Sequence, residues 1–336
     1  MGNLNVIMLG DGEYARDLGK KGTASDITFY NLKKGDDTVT FIEPTRYPER
    51  FSPLYLAAAT AESAIIVVDA LTPAFGESVL MLDCLGIREG FLILRNYIPR
   101  EQVLPLIRGT VVEGYALVED NPAALRELLL AEAARKQTAS PESGGSGSVA
   151  VDQVFSVRGI GTVALGSVVQ GAIRKHENLA VLPSGKTAQV RSIQKHDDEA
   201  DVAVEGDRVG IALKNIGVEE VDRGFVLTSD KSLLTVSSAT GKAELIKYWN
   251  KPLQEGMVLH IGHWMQFIPA RVVLVQDEGG RTPLVTLELE KPLVYSPNRR
   301  ILISHLEGGK LRIVGTMVPS GWVANLQAGQ ESGVHR

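Results

Sequence analysis

The sequence predicts an α/β domain followed by two all-β barrels. Three observations carry that reading. In residues 1–137, short fully apolar runs alternate with helical periodicity, the pattern of a mainly parallel sheet covered on both faces. A Ser/Gly-rich stretch with no apolar anchor, 138–148, then separates two chemically different halves as a flexible linker. Beyond it, short β-branched runs recur with glycine punctuation and almost no helical signal, which suggests barrels.

The elements follow in order. Asn5 to Leu9 is an apolar run ending at Gly10, the pattern of a buried strand. Thr38 to Ile42, Ala64 to Val68 (closed by Asp69) and Phe91 to Leu94 are three more. Between the last two, Val79, Leu80, Leu82 and Leu85 lie at helical spacing, and Gly86 stops that helix. Ala123 to Lys136 is rich in Ala, Leu, Glu and Arg and predicts a terminal helix. In the second half, Thr162 to Gly166, Ala188 to Ile193 and Val209 to Leu213 are the clearest strands. About 180 residues of this kind exceed one small barrel. Two barrels fit, 149–230 and 235–318, leaving a polar tail over 319–336 that is expected to fray.

Composition narrows the class. The chain has 336 residues, with Lys+Arg 35 against Asp+Glu 40, a net charge of −5. Its single cysteine, Cys84, excludes an internal disulfide and a Cys-rich zinc site, and its place on an apolar helix face makes it inert core. No run approaches the ~18 apolar residues of a membrane span. The start carries no basic segment before its apolar run, so no signal peptide is expected, and the expectation is a cytoplasmic, monomeric chain. The charge is uneven. Residues 1–137 carry 14 basic and 19 acidic side chains, 138–231 carry 10 and 13, and 232–336 carry 11 and 8. The basic final third could face a polyanion locally.

Residues 149–229 resemble domain two of the translational GTPases, the EF-Tu and SelB group. The matching residues are Val154 to Val157, Gly159 to Val163, Gly166, Gly171, Ile173, Gly206 to Gly210 and Asp222 to Leu227. Residues 240–318 are similar to the family's third domain through Lys251-Pro252-Leu253, His260-Ile261-Gly262, Ala270 to Val272, Leu289 to Leu293 and Leu311 to Gly315. Ile66 to Ala70, Glu77 and Leu85 to Ile87 match the family's G domain, and Leu18 to Ile27 resembles an archaeal branch of SelB/EF-Tu-like paralogues. The resemblance implies a shortened P-loop-type G domain followed by an EF-Tu domain 2-like and a domain 3-like barrel.

The family's nucleotide motifs are altered. Its phosphate loop, GxxxxGK(S/T), holds phosphates on backbone amides and a lysine, and magnesium on the hydroxyl. Here the register reads Gly10-Asp11-Gly12-Glu13-Tyr14-Ala15-Arg16-Asp17. Only the first glycine remains, and Asp11 and Glu13 place negative charge where polyphosphate would sit. The stretch before Gly19 is too short for the helix that normally follows. The DxxGH segment aligns with Glu43 to Tyr47, so Arg46 and Tyr47 stand at its glycine and histidine; the guanine-reading NKxD aligns with Arg95 to Ile98. The switch threonine aligns with Ala24, with Thr23 one position away. The degenerate nucleotide site implied is Gly10, Arg16, Asp17, Thr23 and Glu43. The same loop also reads GxGxxA, the dinucleotide fingerprint with Glu43 as ribose acid, but two barrels have no place in a dehydrogenase.

The resemblance further implies an aminoacyl pocket of Asp152, Gln153, Phe155, His196 and Asp197, set against the plain alternative of a solvated loop and a core Phe. It implies tRNA T-stem contacts through Arg299, Arg300, Lys310 and Arg312, set against a solvated face. His260 and His263 near Trp264 lack a carboxylate or cysteine pattern, so a structural role is expected rather than a metal site. No catalytic residue is assigned; GTP with magnesium enters only through the resemblance. The function implied is binding of aminoacyl-tRNA, with the ribosome as a further partner and the GTP-dependent switch lost or weakened. The alternatives are a residual GTPase delivering a charged tRNA and a non-enzymatic interaction scaffold.

Overall fold

The computed structural model describes residues 2–136, 145–196, 198–276 and 280–324. The first part is an α/β domain: β1 (Asn3–Leu9), α1 (Tyr14–Leu18), β2 (Lys20–Ala24), β3 (Thr28–Lys34), β4 (Asp37–Glu43), α2 (Ser52–Ala58), β5 (Ser63–Val68), α3 (Pro73–Leu85), β6 (Glu89–Leu94), α4 (Arg100–Ile107), β7 (Ala116–Leu117) and α5 (Pro122–Arg135). Its sheet runs β2-β3-β4-β1-β5-β6-β7, parallel from β4 to β7 and antiparallel at the β2–β3–β4 edge. Both faces are covered. Ile7, Leu9, Ile42, Ile66 and Val68 pack toward α2 and α3; Leu4, Val6, Met8, Phe41 and Val67 pack toward α1 and α5. Period-2 alternation splits each apolar run between two cores, which is why no polar face interrupts it.

The helix starts have local causes. Thr72 accepts from the Phe75 amide before Pro73, and Asn121 accepts from the Ala124 amide before Pro122. An N-cap oxygen satisfies an orphan donor, and proline at the first position gives up none. Gly86 closes α3 in the left-handed region at φ 70°. One expectation is corrected: a helix does follow the Gly10 loop. α1 is five residues long, and its buried Tyr14, Ala15 and Leu18 anchor it. Arg126 of α5 donates to the carbonyls of Asp17 and Leu18, which an isolated turn would leave exposed.

The first barrel contains β8 (Ser148–Val157), β9 (Gly161–Gln170), β10 (Ala172–Arg174), β11 (Asn178–Leu182), β12 (Lys186–Lys195), β13 (Asp198–Ala200), β14 (Val202–Val204), β15 (Arg208–Lys214) and β16 (Val226–Thr228). It closes through β11-β16-β8-β9-β15-β12 and back to β11, six strands around an apolar interior. The second contains β17 (Leu234–Leu245), β18 (Val258–His263), β19 (Gln266–Gln276), β20 (Leu284–Tyr295), β21 (Ile301–Ser304), β22 (Ile313–Met317) and β23 (Gly321–Ala324). It closes through β20-β19-β18-β21-β22-β17 and back to β20. Closure removes sheet edges.

Two boundaries move. The linker expected over 138–148 ends earlier: Ser146 bridges to Ala172, and Ser148 opens β8 fully buried, its hydroxyl bonded to that of Thr228. Residues 138–144 of that stretch lie outside the described residues. The fraying expected from 319 does not hold for Gly321–Ala324, which form β23 and pair along β17; residues 325–336 lie outside the described residues. Among the described residues, no helix is long and apolar enough to cross a membrane.

Candidate functional site

The Gly10 loop sits at the carboxyl end of β1, where open α/β sheets place ligands. Gly10 takes φ 98° beneath the Val67 carbonyl, leaving no room for a Cβ. Beside it, three carboxylates are gathered by one guanidinium. Arg95 pairs with Asp11 at 2.6 Å, Asp120 at 2.7 Å and Asp69 at 3.7 Å, and lies over the Tyr14 ring at 5.1 Å. The Asp120 hydrogen bond, followed by that to Asp11, holds the guanidinium more firmly charged, although burial opposes it. The same bond holds the Asp120 carboxyl below its ordinary value. Asp11 and Glu13 are therefore not unpartnered charges: Asp11 shares Arg95 with Asp69 and Asp120, and Glu13 pairs with Arg16 at 2.8 Å.

Glu43 completes the loop's lining. It is buried, accepts from the Tyr30 hydroxyl at 2.9 Å, and its Oε1 would lie 2.9 Å from a Cβ at Gly12. Burial pushes its carboxyl up, against the pull of Tyr30 and Arg16. Of the five sequence-assigned nucleotide residues, Gly10, Arg16 and Glu43 meet here, and Asp17 faces α5 through its carbonyl. Thr23 does not join them; its hydroxyl accepts from Arg208 of the first barrel, because β2 folds back antiparallel along β3. Magnesium held by Thr23 at this loop does not fit that placement. Arg95→Met should strand three converging carboxylates and cost about 2 kcal/mol of stability. Thermal unfolding with and without GTP and magnesium checks this, and added nucleotide is expected not to restore the loss.

A second concavity of about 680 Å³ lies between the β2–β3 hairpin and the first barrel. Lys20, Lys21 and Lys33 enter from the hairpin, Arg126 from α5, and His196 and Arg208 from the barrel. Lys33 pairs with Asp198, and Arg126 holds α1, so Lys20 and Lys21 are exposed cations with no ion pair among the described residues. Arg208 spans the domains: it grips Asp152 with two nitrogens and stacks 3.5 Å over the Phe29 ring. The sequence-assigned pocket residues divide accordingly. His196 lines the cleft, in left-handed backbone at φ 48°. Asp152 is buried and spent on Arg208 rather than forming an open wall. Gln153 is half-buried; Phe155 is neither core nor cleft wall but 41% exposed on β8. Asp197 lies outside the described residues.

The second barrel meets the α/β domain through a buried ion pair. Glu77 of α3 is 2% exposed and takes the Arg312 guanidinium through Nε at 3.1 Å and a second nitrogen at 2.5 Å, with the Arg312 amide at 3.0 Å. Arg312 also donates to the Pro48 carbonyl and stacks near Phe51 and Tyr47. Burial opposes its charge, but Glu77 outweighs burial and strengthens it. Arg312 is thus withdrawn from the proposed T-stem face. Arg299 and Lys310 remain exposed, and Arg300 pairs loosely with Glu244 at 3.6 Å.

The two histidines are structural in their surroundings. His260 stacks on Phe267 at 5.2 Å; His263 packs on Trp264 and Tyr295 and accepts from the Ser296 amide. Burial, then the Arg299 charge, pushes the His263 imidazole down to about 3. The unfolded chain takes up that proton near pH 6.5. Its stabilising contribution is therefore full above pH 6.5 and is lost toward pH 3, at about 1.4 kcal/mol per pH unit. Stability measured from pH 6 to 4 should fall less steeply in His263→Gln, by about one proton's slope.

Sequence reasoning missed the Arg95 hub, the cleft lysines and the Glu77–Arg312 pair. For the last a signal existed: a carboxylate inside an apolar face of α3, beside Leu80, Met81 and Cys84, needs a buried partner.

Comparisons with known proteins extend this picture. The family model described as Elongation factor Tu domain 2 matches residues 161–228. An uncharacterized protein of Methanocaldococcus jannaschii is 33% identical over 317 residues, covering 94% of this chain and 99% of that protein. Selenocysteine-specific elongation factors are also similar: that of M. jannaschii is 29% identical, over 47% of this chain and 37% of the factor, and that of Desulfomicrobium baculatum 26%, over 82% and 46%. The chain thus spans less than half the length of these factors. Among solved structures, elongation factor SelB of Methanococcus maripaludis with the GTP analogue GppNHp superposes at TM-score 0.80 and 22% identity, over 96% of this chain and 79% of that one.

Proposed function

The chain belongs to the translational GTPase superfamily as a SelB/EF-Tu-like paralogue, and on that premise we propose that it binds aminoacyl-tRNA without a nucleotide-timed switch. The cleft between the β2–β3 hairpin and the first barrel takes the charged 3′ end. Arg299, Arg300 and Lys310 of the second barrel meet the duplex backbone. The observation that carries this reading is the cationic cleft itself, with Lys20 and Lys21 facing solvent over about 680 Å³. A net-negative protein that concentrates unpaired cations in one concavity supports an anionic ligand there. The ribosome is the second partner, and the chain works as a cytoplasmic monomer.

Filter binding across a salt series tests this. Phosphate neutralisation makes affinity fall steeply with salt. The double variant Lys20→Ala, Lys21→Ala should lower the log–log slope by about one per lysine that touches phosphate. An unchanged slope, or no retention of any tRNA at low salt, removes the reading and leaves the scaffold alternative.

The residual-GTPase reading rests on Gly10, still cradled under Val67, and on α1, which puts a helix start at the loop. Calorimetric titration with GTP and magnesium decides it. Affinity no better than about millimolar is expected, because Ile98 stands where the guanine-reading aspartate would be and Arg95 fills the corner.

A further inference from the structure

A second cavity, of about 390 Å³, opens where all three domains meet and shares no lining residue with the cationic cleft. Leu56 enters from α2, Pro183 and Phe225 from the first barrel, and Met265, Phe267 and Ile268 from the second. Concave, mainly apolar spaces with a few convergent polar groups, set at a domain interface, are the usual form of small-molecule sites, and this one is at the lower end of their range of about 300–1,000 Å³.

The polar groups decide what fits. Asp26 and Arg223 pair at 2.7 Å through one guanidinium nitrogen, while the buried Nε and Nη2 of Arg223 have no hydrogen-bond partner among the described residues. Burial pushes the Asp26 carboxyl up, but Arg223 outweighs it and keeps the carboxylate charged. Asp222 sits at the exposed rim, where its Oδ1 accepts from the adjacent amide. Lys291 also lines the space, exposed, and makes no ion pair among the described residues. A cation entering here would compete with Arg223; an anion would meet Lys291 and the unpartnered Arg223 donors, against one rim carboxylate, Asp222.

We infer that this junction is a binding site for a small amphiphilic anion, with its apolar body among Leu56, Phe225 and Ile268 and its single anionic head on Lys291. The inference is independent of the tRNA reading. A ligand touching α2 and both barrels at once binds only the docked arrangement, so it stabilises that arrangement by mass action.

Anilinonaphthalene sulfonate, an anionic dye that brightens in apolar surroundings, is the probe, displaced by decanoate or by neutral decanamide. One dye per chain should bind and be displaced by decanoate, which should also raise the melting temperature by about 2 °C or more. Lys291→Met should weaken decanoate by about fivefold, the range of an exposed charge pair, and leave decanamide unchanged. Ser52→Trp, which fills the cavity from the start of α2, should abolish binding of both; Pro292→Trp serves the same purpose if Ser52→Trp fails to fold. Several weak dye sites insensitive to the tryptophan variants would overturn the proposal. So would equal binding of decanoate by wild type and Lys291→Met.

Discussion

Arg312→Met is expected to lower unfolding free energy by about 3–5 kcal/mol, among the largest effects of any single substitution in the protein. The cause is not the loss of attraction alone. Glu77 is 2% exposed and takes three donors from Arg312, so removing the guanidinium leaves a buried carboxylate without a counter-charge. The double variant Glu77→Leu, Arg312→Met removes both charges and should recover most of the loss, since well-packed apolar replacement of a buried pair is often near neutral. Denaturant titration of the two singles and the double gives the coupling directly. Additive losses would mean that the pair does not couple α3 to the second barrel. The same variant addresses tRNA: Arg312 is turned into the domain interface, so folded Arg312→Met should keep its salt slope for tRNA, while Lys310→Ala reduces it.

Gly262→Ala comes next in size. Gly262 of β18 lies against the Tyr55 ring of α2, and a Cβ there would overlap it. Tyr55 cannot retreat: it is 1% exposed, stacks near Phe267 at 5.4 Å and donates its hydroxyl to the Trp264 carbonyl at 3.0 Å. Overpacking at such a contact costs about 1–3 kcal/mol. Here the strain falls on the seam between α2 and the second barrel, so the expected result is partial undocking as well as a lower melting temperature. Small-angle scattering should show a larger radius of gyration for Gly262→Ala than for wild type. An unchanged radius with unchanged stability would mean that the seam yields freely. Tyr55→Phe, which keeps the ring and loses one hydrogen bond, should cost only about 1 kcal/mol.

These two contacts explain how the domains are held in one arrangement. Asn3 and Asn5 of β1 both donate to the Gly206 carbonyl of the first barrel, and Arg208 and Arg223 reach from that barrel to Phe29 and Asp26. None of these bonds runs through the Gly10 loop. In a nucleotide-timed switch, the bound ligand must favour one arrangement by differential contacts. The interdomain contacts named above are made by the chain itself, and the Arg95 hub separately ties the loop, the end of β5 and the approach to α5.

Much of this fold was legible in the sequence because its strongest signals are local. The four apolar runs became β1, β4, β5 and β6, extended by one or two residues at their ends. The α5 start was missed by one residue, since the Asn121 cap and Pro122 were not weighed. The glycines of residues 159–171 pointed to a barrel, and Gly159, Gly161 and Gly171 do take positive φ. What escaped was non-local. α2 has no polar face to give it periodicity, because both sides are buried, one of them by a distant barrel. α1 exists because Arg126, over a hundred residues later, caps its end. β2 and β3 form the sheet's antiparallel edge, where a Lys- and Gly-bearing strand gives no apolar signal. The site followed the same rule. His196 lines the cleft, but charge counting reads Asp11 as repulsive when its partner, Arg95, lies 84 residues away. Arg312 was likewise read as a surface cation because Glu77 is 235 residues distant.

The most direct test of the central claim is the affinity of wild-type protein for charged tRNA, measured with and without saturating GTP and magnesium at one fixed salt concentration. Nucleotide-independent binding predicts dissociation constants equal within about twofold, a coupling free energy below about 0.5 kcal/mol. Tightening by about tenfold or more on adding GTP and magnesium would contradict it, and would show that the Gly10 loop still governs the cleft.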